Sequence, residues 1–193
     1  MKRVLLPLTA LAMSAGFSAS ATAGEFNYNY LDIGVSQVDL DLHGHAFDGK
    51  GYGVNGSFDI ADHWHIHGGF NHASFDTNLK TSEQEIGLGY SRNLAHGIDF
   101  TASMAYIAAS IDNTEVTAVD ATGYGLGMGL RAMAGEKIEL FGNLNYVDLD
   151  EGESQTIYKV GAGYALTEDL QFRVSYSDSD EAASYRFGFR VTF

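Results

Sequence analysis

The chain alternates apolar and polar residues with a period of two in ten separate stretches. Successive side chains of a strand point to opposite faces, so each stretch predicts a β-strand with one apolar and one polar face. Turn-rich segments separate the stretches, as in an all-β fold. The predicted strands cover residues 28–36, 51–61, 64–72, 83–92, 98–110, 123–131, 138–147, 156–166, 170–177 and 185–193.

The last nine residues alternate strictly, and the chain stops on an aromatic residue in phase with their apolar face. This pattern resembles the closing strand of bacterial outer-membrane β-barrels. In those proteins the barrel assembly machinery recognises this strand. The resemblance implies that the C-terminal strand is an assembly signal. Its candidate residues are Tyr185, Phe187, Phe189, Val191 and Phe193.

The connections between predicted strands alternate between short turns and longer acidic loops. Tight turns at one rim and long loops at the other are typical of a transmembrane barrel, and an even strand number puts both termini at the tight-turn rim. The sequence therefore predicts short periplasmic turns and longer extracellular loops. Examples of the turns are 61–63, 134–137 and 167–169, and examples of the loops are 37–50, 112–122 and 148–155.

Aromatic residues on the apolar faces favour a membrane barrel over a soluble one. They form two predicted girdles around an aliphatic band, as expected where amphipathic rings meet both membrane interfaces. A soluble barrel would have apolar residues inside and polar residues outside. The loop-end girdle is Tyr52, Tyr106, Tyr124, Tyr146, Tyr158, Tyr176 and Tyr185, and the turn-end girdle is Trp64, Tyr90, Phe100, Tyr164, Phe172 and Phe193.

The N-terminus has the pattern of a secretory signal peptide. Lys2 and Arg3 precede an apolar run, and small residues at 21–23 form a candidate cleavage site. We therefore expect residues 1–23 to be removed, leaving one outer-membrane barrel domain over 24–193. Pro7, the only proline, lies in the leader, which suits a mature sheet that is paired throughout.

Composition excludes several functions. The chain has no cysteine, which rules out thiol catalysis and disulfides. Its formal charge is −14, and loss of the two basic leader residues makes it −16, so nucleic acid is not an expected partner. No apolar run reaches the length of a transmembrane helix, and a spanning structure must then be a barrel.

Ten charged residues fall on the inward polar faces, five of each sign. Charges inside a barrel are tolerated when they are paired and hydrogen-bonded, so we expect a lumen largely plugged by paired charges. Glycines at 123, 125, 127 and 129 leave one wall without side chains. Either arginines from opposite strands or water fill the space, or the glycines serve curvature and close backbone packing. The predicted lumen network is Asp32, Asp59, Glu85, Asp99, Glu139, Arg131, Lys159, Arg173, Arg186 and Arg190.

Three weaker chemical patterns are present, and none predicts a metal or a cofactor. His65 and His67 share a face at the i, i+2 spacing that can hold a transition metal, with Glu85 or His43 as a third ligand. Acidic loop groups could hold calcium, and a serine–histidine–acid set near the outer rim could form a nucleophilic site. The two acidic sets are Asp148, Asp150, Glu151 and Glu153, and Asp178, Asp180 and Glu181. The serine–histidine–acid set is Ser74, His72 and Asp76.

Several hairpin segments resemble the family of small single-domain outer-membrane barrels that includes diffusible-signal-factor-regulated outer-membrane proteins. The matching stretches are residues 51–57, 68–70 and 86–90. The resemblance implies an outer-membrane location and supplies no catalytic residues. We therefore expect a non-enzymatic barrel with a structural or surface-interaction role, in contact with outer-membrane lipid and lipopolysaccharide. The alternative is a narrow passive pore for small polar solutes.

Overall fold

The structure is a computed structural model that describes residues 20–22, 25–42, 45–76, 79–113 and 116–193. Twelve β-strands account for most of this part of the chain. They are β1 (Ser20–Thr22), β2 (Glu25–Asn27), β3 (Tyr30–Leu42), β4 (His45–Ala61), β5 (Trp64–Phe75), β6 (Leu79–Ala95), β7 (Ile98–Asn113), β8 (Val116–Ala134), β9 (Ile138–Leu149), β10 (Gln155–Ala165), β11 (Leu170–Asp178) and β12 (Ala182–Thr192).

Strands β3 to β12 form a closed barrel in which every strand pairs antiparallel with its sequence neighbours. The seam joins β12 to β3, in a register that runs from Ala182 opposite Leu40 to Thr192 opposite Tyr30. Closure leaves no sheet edge unpaired, which a barrel in lipid requires. The ten-stranded antiparallel barrel predicted from the alternation is confirmed. Strands β1 and β2 pair only with each other, in a separate two-stranded sheet.

The outer surface of the barrel is a continuous apolar band. Every barrel strand except β11 contributes exposed large hydrophobic side chains among the described residues, such as Ile33, Met104, Leu126 and Val160. On β11 the outward apolar side chains are half-buried. So much exposed apolar surface indicates a lipid-facing wall. Aromatic pairs such as Tyr176 with Tyr185, and Trp64 with Tyr90, lie at opposite ends of the band. Among the described residues, no helix is long and apolar enough to cross a membrane.

The strands continue well past the ends predicted from the sequence. Most of the segments expected as the loops 37–50 and 112–122 are paired strand, in arms that extend β3, β4, β7 and β8. Strand β8 has 19 residues, whereas about 9 to 11 tilted residues cross a bilayer. The barrel therefore projects beyond the membrane at the end opposite the tight turns, which we call the loop end.

Polarity reverses in the projecting part. Within the membrane band, apolar residues of β3 such as Val35 point outward and polar residues such as Asp32 point inward. Beyond it, Val38 and Leu40 are buried inside while Gln37 and Asp39 are exposed outside. The projecting barrel therefore has an apolar core and a polar surface, as expected for a barrel in water.

Candidate functional site

The barrel interior is the candidate site, because it contains most of the charged residues predicted from the sequence. Its contents fall into three layers along the barrel axis. An aromatic layer lies at the tight-turn end, a layer of charged and amide side chains lies in the middle, and an apolar layer lies at the loop end.

Residues 26–30 supply the aromatic layer, because the chain enters the barrel through the tight-turn end. Phe26, Tyr28 and Tyr30 are all buried. Tyr28 stacks on His65 with the ring centroids 4.6 Å apart, and its hydroxyl donates to Asp99 Oδ2 at 3.1 Å. The segment before the first barrel strand thus occupies the mouth of the lumen.

Arg131 and Glu139 form the most buried ion pair of the middle layer, and each has 0% exposure. Arg131 Nη2 lies 2.7 Å from Glu139 Oε1, and Arg131 Nε donates to the same oxygen at 3.0 Å. Gln171 donates to the second oxygen at 3.2 Å, and Arg173 Nη1 lies 3.8 Å from the first. Phe26 covers the guanidinium of Arg131 at 4.2 Å.

Arg190 and Asp32 form a second ion pair across the seam between β12 and β3. Arg190 Nε donates to Asp32 Oδ1 at 2.6 Å, and Arg190 Nη2 contacts the other oxygen. The ring of Tyr30 lies against the guanidinium at 3.6 Å. Bidentate pairing combined with aromatic stacking is a favourable arrangement for a buried arginine.

The remaining predicted network residues have different neighbours. Arg186 donates to Asn71 Oδ1 at 2.8 Å and to the Gly53 carbonyl at 3.0 Å, and Glu85 lies 3.7 Å from His67. Asp99 accepts from Tyr28 and from Asn93, so neutral donors hold it.

Lys159 and Asp59 lie at two different levels of the barrel. Lys159 is buried in the middle layer. Asp59 is exposed at the tight-turn mouth, where it accepts from Asn29 Nδ2 at 3.1 Å. The structure therefore brings most of the predicted network together, but Asp59 stands apart from it.

Sequence reasoning missed polar residues that share the same inward face. Glu83 is buried next to the predicted Glu85. Residues two apart in a strand share a face, so the inward direction of Glu83 could have been predicted from that of Glu85. Amide side chains also lie in the middle layer, where Asn71 accepts from Arg186 and Gln171 bonds both Glu139 and Arg173. The buried amides there are Asn55, Asn71, Asn143, Asn145 and Gln171.

The inward glycines of β8 provide space for side chains of the two adjacent strands. A Cβ at Gly129 would lie 2.2 Å from Asn143 Oδ1, and one at Gly127 would lie 2.5 Å from Ser103 Oγ. At these two positions, residues of β7 and β9 rather than arginines from opposite strands occupy the space.

The apolar layer closes the loop end. Its members are buried inward-facing residues of the projecting arms, and they form one contiguous cluster. We call this set the apolar cluster: Val38, Leu40, Ala73, Phe75, Leu79, Ile107, Ala109, Ile111, Ala121, Val147, Leu149 and Ile157.

Two described cavities differ sharply in size and place. The first, of about 30 Å³, lies within the middle layer between Asp32, Lys159 and Arg173, and has room for about one water molecule. The second, of about 600 Å³, is the open tight-turn mouth, lined by Phe26, Tyr28 and Asp99 among others. The cavity described within the middle layer is therefore far smaller than the open mouth.

The histidine candidates do not gather a third ligand in the described structure. His65 and His67 both point inward, with their ring centroids 6.4 Å apart, and Glu85 approaches only His67. His43 lies outside the described residues. No group of three histidine, aspartate or glutamate side chains in the described parts of the chain converges as metal ligands would.

The acidic loop candidates are partly bound by neighbours. Asp150 accepts from the Thr122 main-chain N–H at 2.7 Å and from its hydroxyl at 3.0 Å. These bonds, above all the main-chain one, hold the pKa of Asp150 below its ordinary value. Tyr124 donates to Asp148 at 2.9 Å, so both carboxylates serve to fasten β8 to β9.

The serine–histidine candidate forms a hydrogen bond but lacks an orienting acid. His72 Nε2 lies 3.2 Å from Ser74 Oγ, and Nδ1 lies 2.9 Å from Ser82 Oγ. A nucleophilic triad requires a carboxylate on the second ring nitrogen, which would hold the imidazole and its developing charge. Here Ser82, rather than Asp76, occupies that position.

Comparison with known proteins agrees with this architecture. The family model described as "Outer membrane protein beta-barrel domain" matches residues 9–158, well over half of the chain. A search of curated proteins by sequence finds no match.

Solved structures that are similar to this chain have low sequence identity to it. The beta domain of the Bordetella autotransporter BrkA is 13% identical, with a TM-score of 0.51 over 86% of this chain and 100% of that one. Neisserial surface protein A is 13% identical, with a TM-score of 0.48 over 85% and 96%. Ail of Yersinia pestis is 12% identical, with a TM-score of 0.45 over 86% and 99%.

Proposed function

Because the chain belongs to the outer membrane protein β-barrel domain family and lies in the cell outer membrane, we propose that it is a closed, non-conducting barrel. Its role is structural or interactive, since the projecting arms present a polar, largely acidic surface outside the membrane. The observation that carries this proposal is the filling of the interior by three successive layers.

Each layer blocks solute passage by a different physical means. The aromatic layer fills the mouth with rings, and the middle layer ties arginines to carboxylates and amides. At the loop end, the apolar cluster excludes water, since a dry cluster offers a hydrated ion no replacement for its hydration shell. Eight strands enclose just enough space for side chains, and ten lie near that limit.

Bilayer conductance tests the proposal. Purified protein in a planar bilayer is expected to give no steady conductance steps, whereas a general porin inserted under the same conditions does. The double variant Phe26→Ala, Tyr28→Ala is expected to stay silent as well, because two layers remain. Regular steps from the unaltered protein would overturn the closed barrel and favour the narrow pore for small polar solutes.

The partners we propose follow from the surfaces of the barrel. The apolar band contacts outer-membrane lipid, and lipopolysaccharide meets the wall at the loop end. The outward residues of β12 serve as the signal to the barrel assembly machinery, which supports export after removal of residues 1–23. These residues are Tyr185, Phe187, Phe189, Val191 and Phe193, all exposed.

We propose no enzymatic activity. His72 contacts two serines but no orienting carboxylate, and Glu139 is ion-paired within the middle layer. Nucleic acid is not a partner either, because the mature chain is strongly acidic.

A further inference from the structure

A small basic patch lies on the outer wall of an otherwise acidic loop end. Among the described residues, Lys50 and Lys80 are the only lysines or arginines in the loop-end halves of the hairpins that point away from the lumen. They come from different strands, β4 and β6, separated by 30 positions in the chain. The fold nevertheless places them side by side.

The strand register fixes their position. Lys50 pairs with Ser74 of β5, and Ser74 pairs in turn with Lys80. Neighbouring strands lie about 4.8 Å apart, so the two lysine backbones stand roughly 10 Å apart, with a serine hydroxyl between them. Their long, flexible side chains can both reach one anion centred over Ser74.

Neither lysine is engaged by a carboxylate. No carboxylate oxygen of the described residues lies within 4.0 Å of either ammonium group. Both side chains are exposed. By contrast, the inward arginines of the lumen contact a carboxylate, an amide or a carbonyl oxygen. Neither lysine is therefore ion-paired within the described residues. Asp112 of β7 lies opposite Lys80 on the same outward face, so the patch sets two lysines against one carboxylate and keeps a net positive charge.

The level of the patch matches a lipid headgroup. Tyr52 lies two residues below Lys50 on the same outward face of β4, about 7 Å along the strand. Tyrosines of a girdle lie at headgroup depth, so the two ammonium groups lie at or just above it. One row higher, the outward face becomes acidic at Asp48 and Asp76, which would repel an anion placed there.

We propose that Lys50, Ser74 and Lys80 form a binding site for a phosphate group of lipopolysaccharide in the outer leaflet. The phosphate accepts from both ammonium groups and from the Ser74 hydroxyl, while the acyl chains lie along the apolar wall beneath Tyr52. His72 and Ser82 border the site from below and hold the serine side chain through His72 Nε2. This site gives the proposed lipopolysaccharide contact a specific location.

The test is lipid binding by purified, folded protein in a nonionic detergent. Bis-phosphorylated lipid A would be titrated in EDTA, so that divalent cations cannot bridge the acidic loops, and binding read by native mass spectrometry. The double variant Lys50→Gln, Lys80→Gln is expected to bind at least about tenfold more weakly, since each juxtamembrane lysine contributes on the order of fivefold.

A matched control removes two charges from the opposite rim. The variant Arg92→Gln, Lys137→Gln is expected to bind lipid A within about twofold of the unaltered protein, and dephosphorylated lipid A should bind as weakly as the double lysine variant. Equal binding by the lysine variant would overturn the site, as would inorganic phosphate binding as tightly as lipid A. Either result leaves the closed barrel standing, because only conductance tests that.

Discussion

Replacing Ile157 with asparagine is expected to destabilise the protein by about 3 to 5 kcal/mol. Ile157 is 2% exposed within the apolar cluster. Burial of an isoleucine contributes roughly 1.5 to 3 kcal/mol, and an amide left without partners in an apolar site costs about 1 to 3 kcal/mol more. Reversible urea unfolding of the protein in micelles or bilayers measures the change in the free energy of unfolding.

The neighbouring residue supplies the control. Thr156 lies on the opposite, outward face of β10, so Thr156→Asn is expected to change the free energy of unfolding by less than about 0.5 kcal/mol. If the loop end were an open, water-filled lumen, asparagine at 157 would be hydrated and both variants would be equally mild. That result would contradict the apolar closure.

Replacing Glu139 with glutamine is expected to cost about 3 to 5 kcal/mol, the range for breaking a buried ion pair. Glutamine keeps the shape of the side chain but removes the charge that balances Arg131 and Arg173. Unfolding in urea measures the loss. Glu136→Gln, in the exposed turn before β9, is the control and should have almost no effect.

A double variant separates the charge from the shape. Arg131→Met combined with Glu139→Leu removes both charges, and we expect it to recover roughly half or more of the loss seen for Glu139→Gln. A double variant as unstable as the single one would show that the ion pair is not the source of the effect. The cause would then be packing alone.

Alternation of residues was sufficient to predict the barrel, since one face of every strand must be buried and a register slip would invert it. The same rule placed Asp32, Arg131 and Glu139 inside. It could not say which charges would meet, because Asp32 and Arg190 are 158 residues apart and become neighbours only at the seam.

The projecting arms were missed in the sequence analysis because the apolar residues move from the outward to the inward face of the strand where the arms begin. In β3 the apolar residues are odd-numbered up to Val35 and even-numbered from Val38 onward. A strand predicted from one continuous apolar, lipid-facing side ends at this switch, and the rest of the strand is then predicted as a loop. The switch itself is the useful signal, since it marks where a strand leaves lipid for water.

The aromatic layer was missed for a related reason. Tyr28 and Tyr30 have the parity of the inward face, yet aromatic residues near a barrel rim are usually assigned to a girdle. No local sequence pattern predicts that the segment before β3 folds into the lumen at its tight-turn end. The burial of Phe26 against Arg131 depends on tertiary contacts with β8.

Cysteine accessibility tests the closed interior most directly, because the chain has no cysteine of its own. Ser175→Cys places a thiol in the middle layer, and Ser74→Cys places one on the outer wall at the loop end. In outer-membrane vesicles, a charged, membrane-impermeant maleimide is expected to label Ser74→Cys quickly and Ser175→Cys only after unfolding. Equal labelling of the two in the folded protein would show an open lumen and contradict the account.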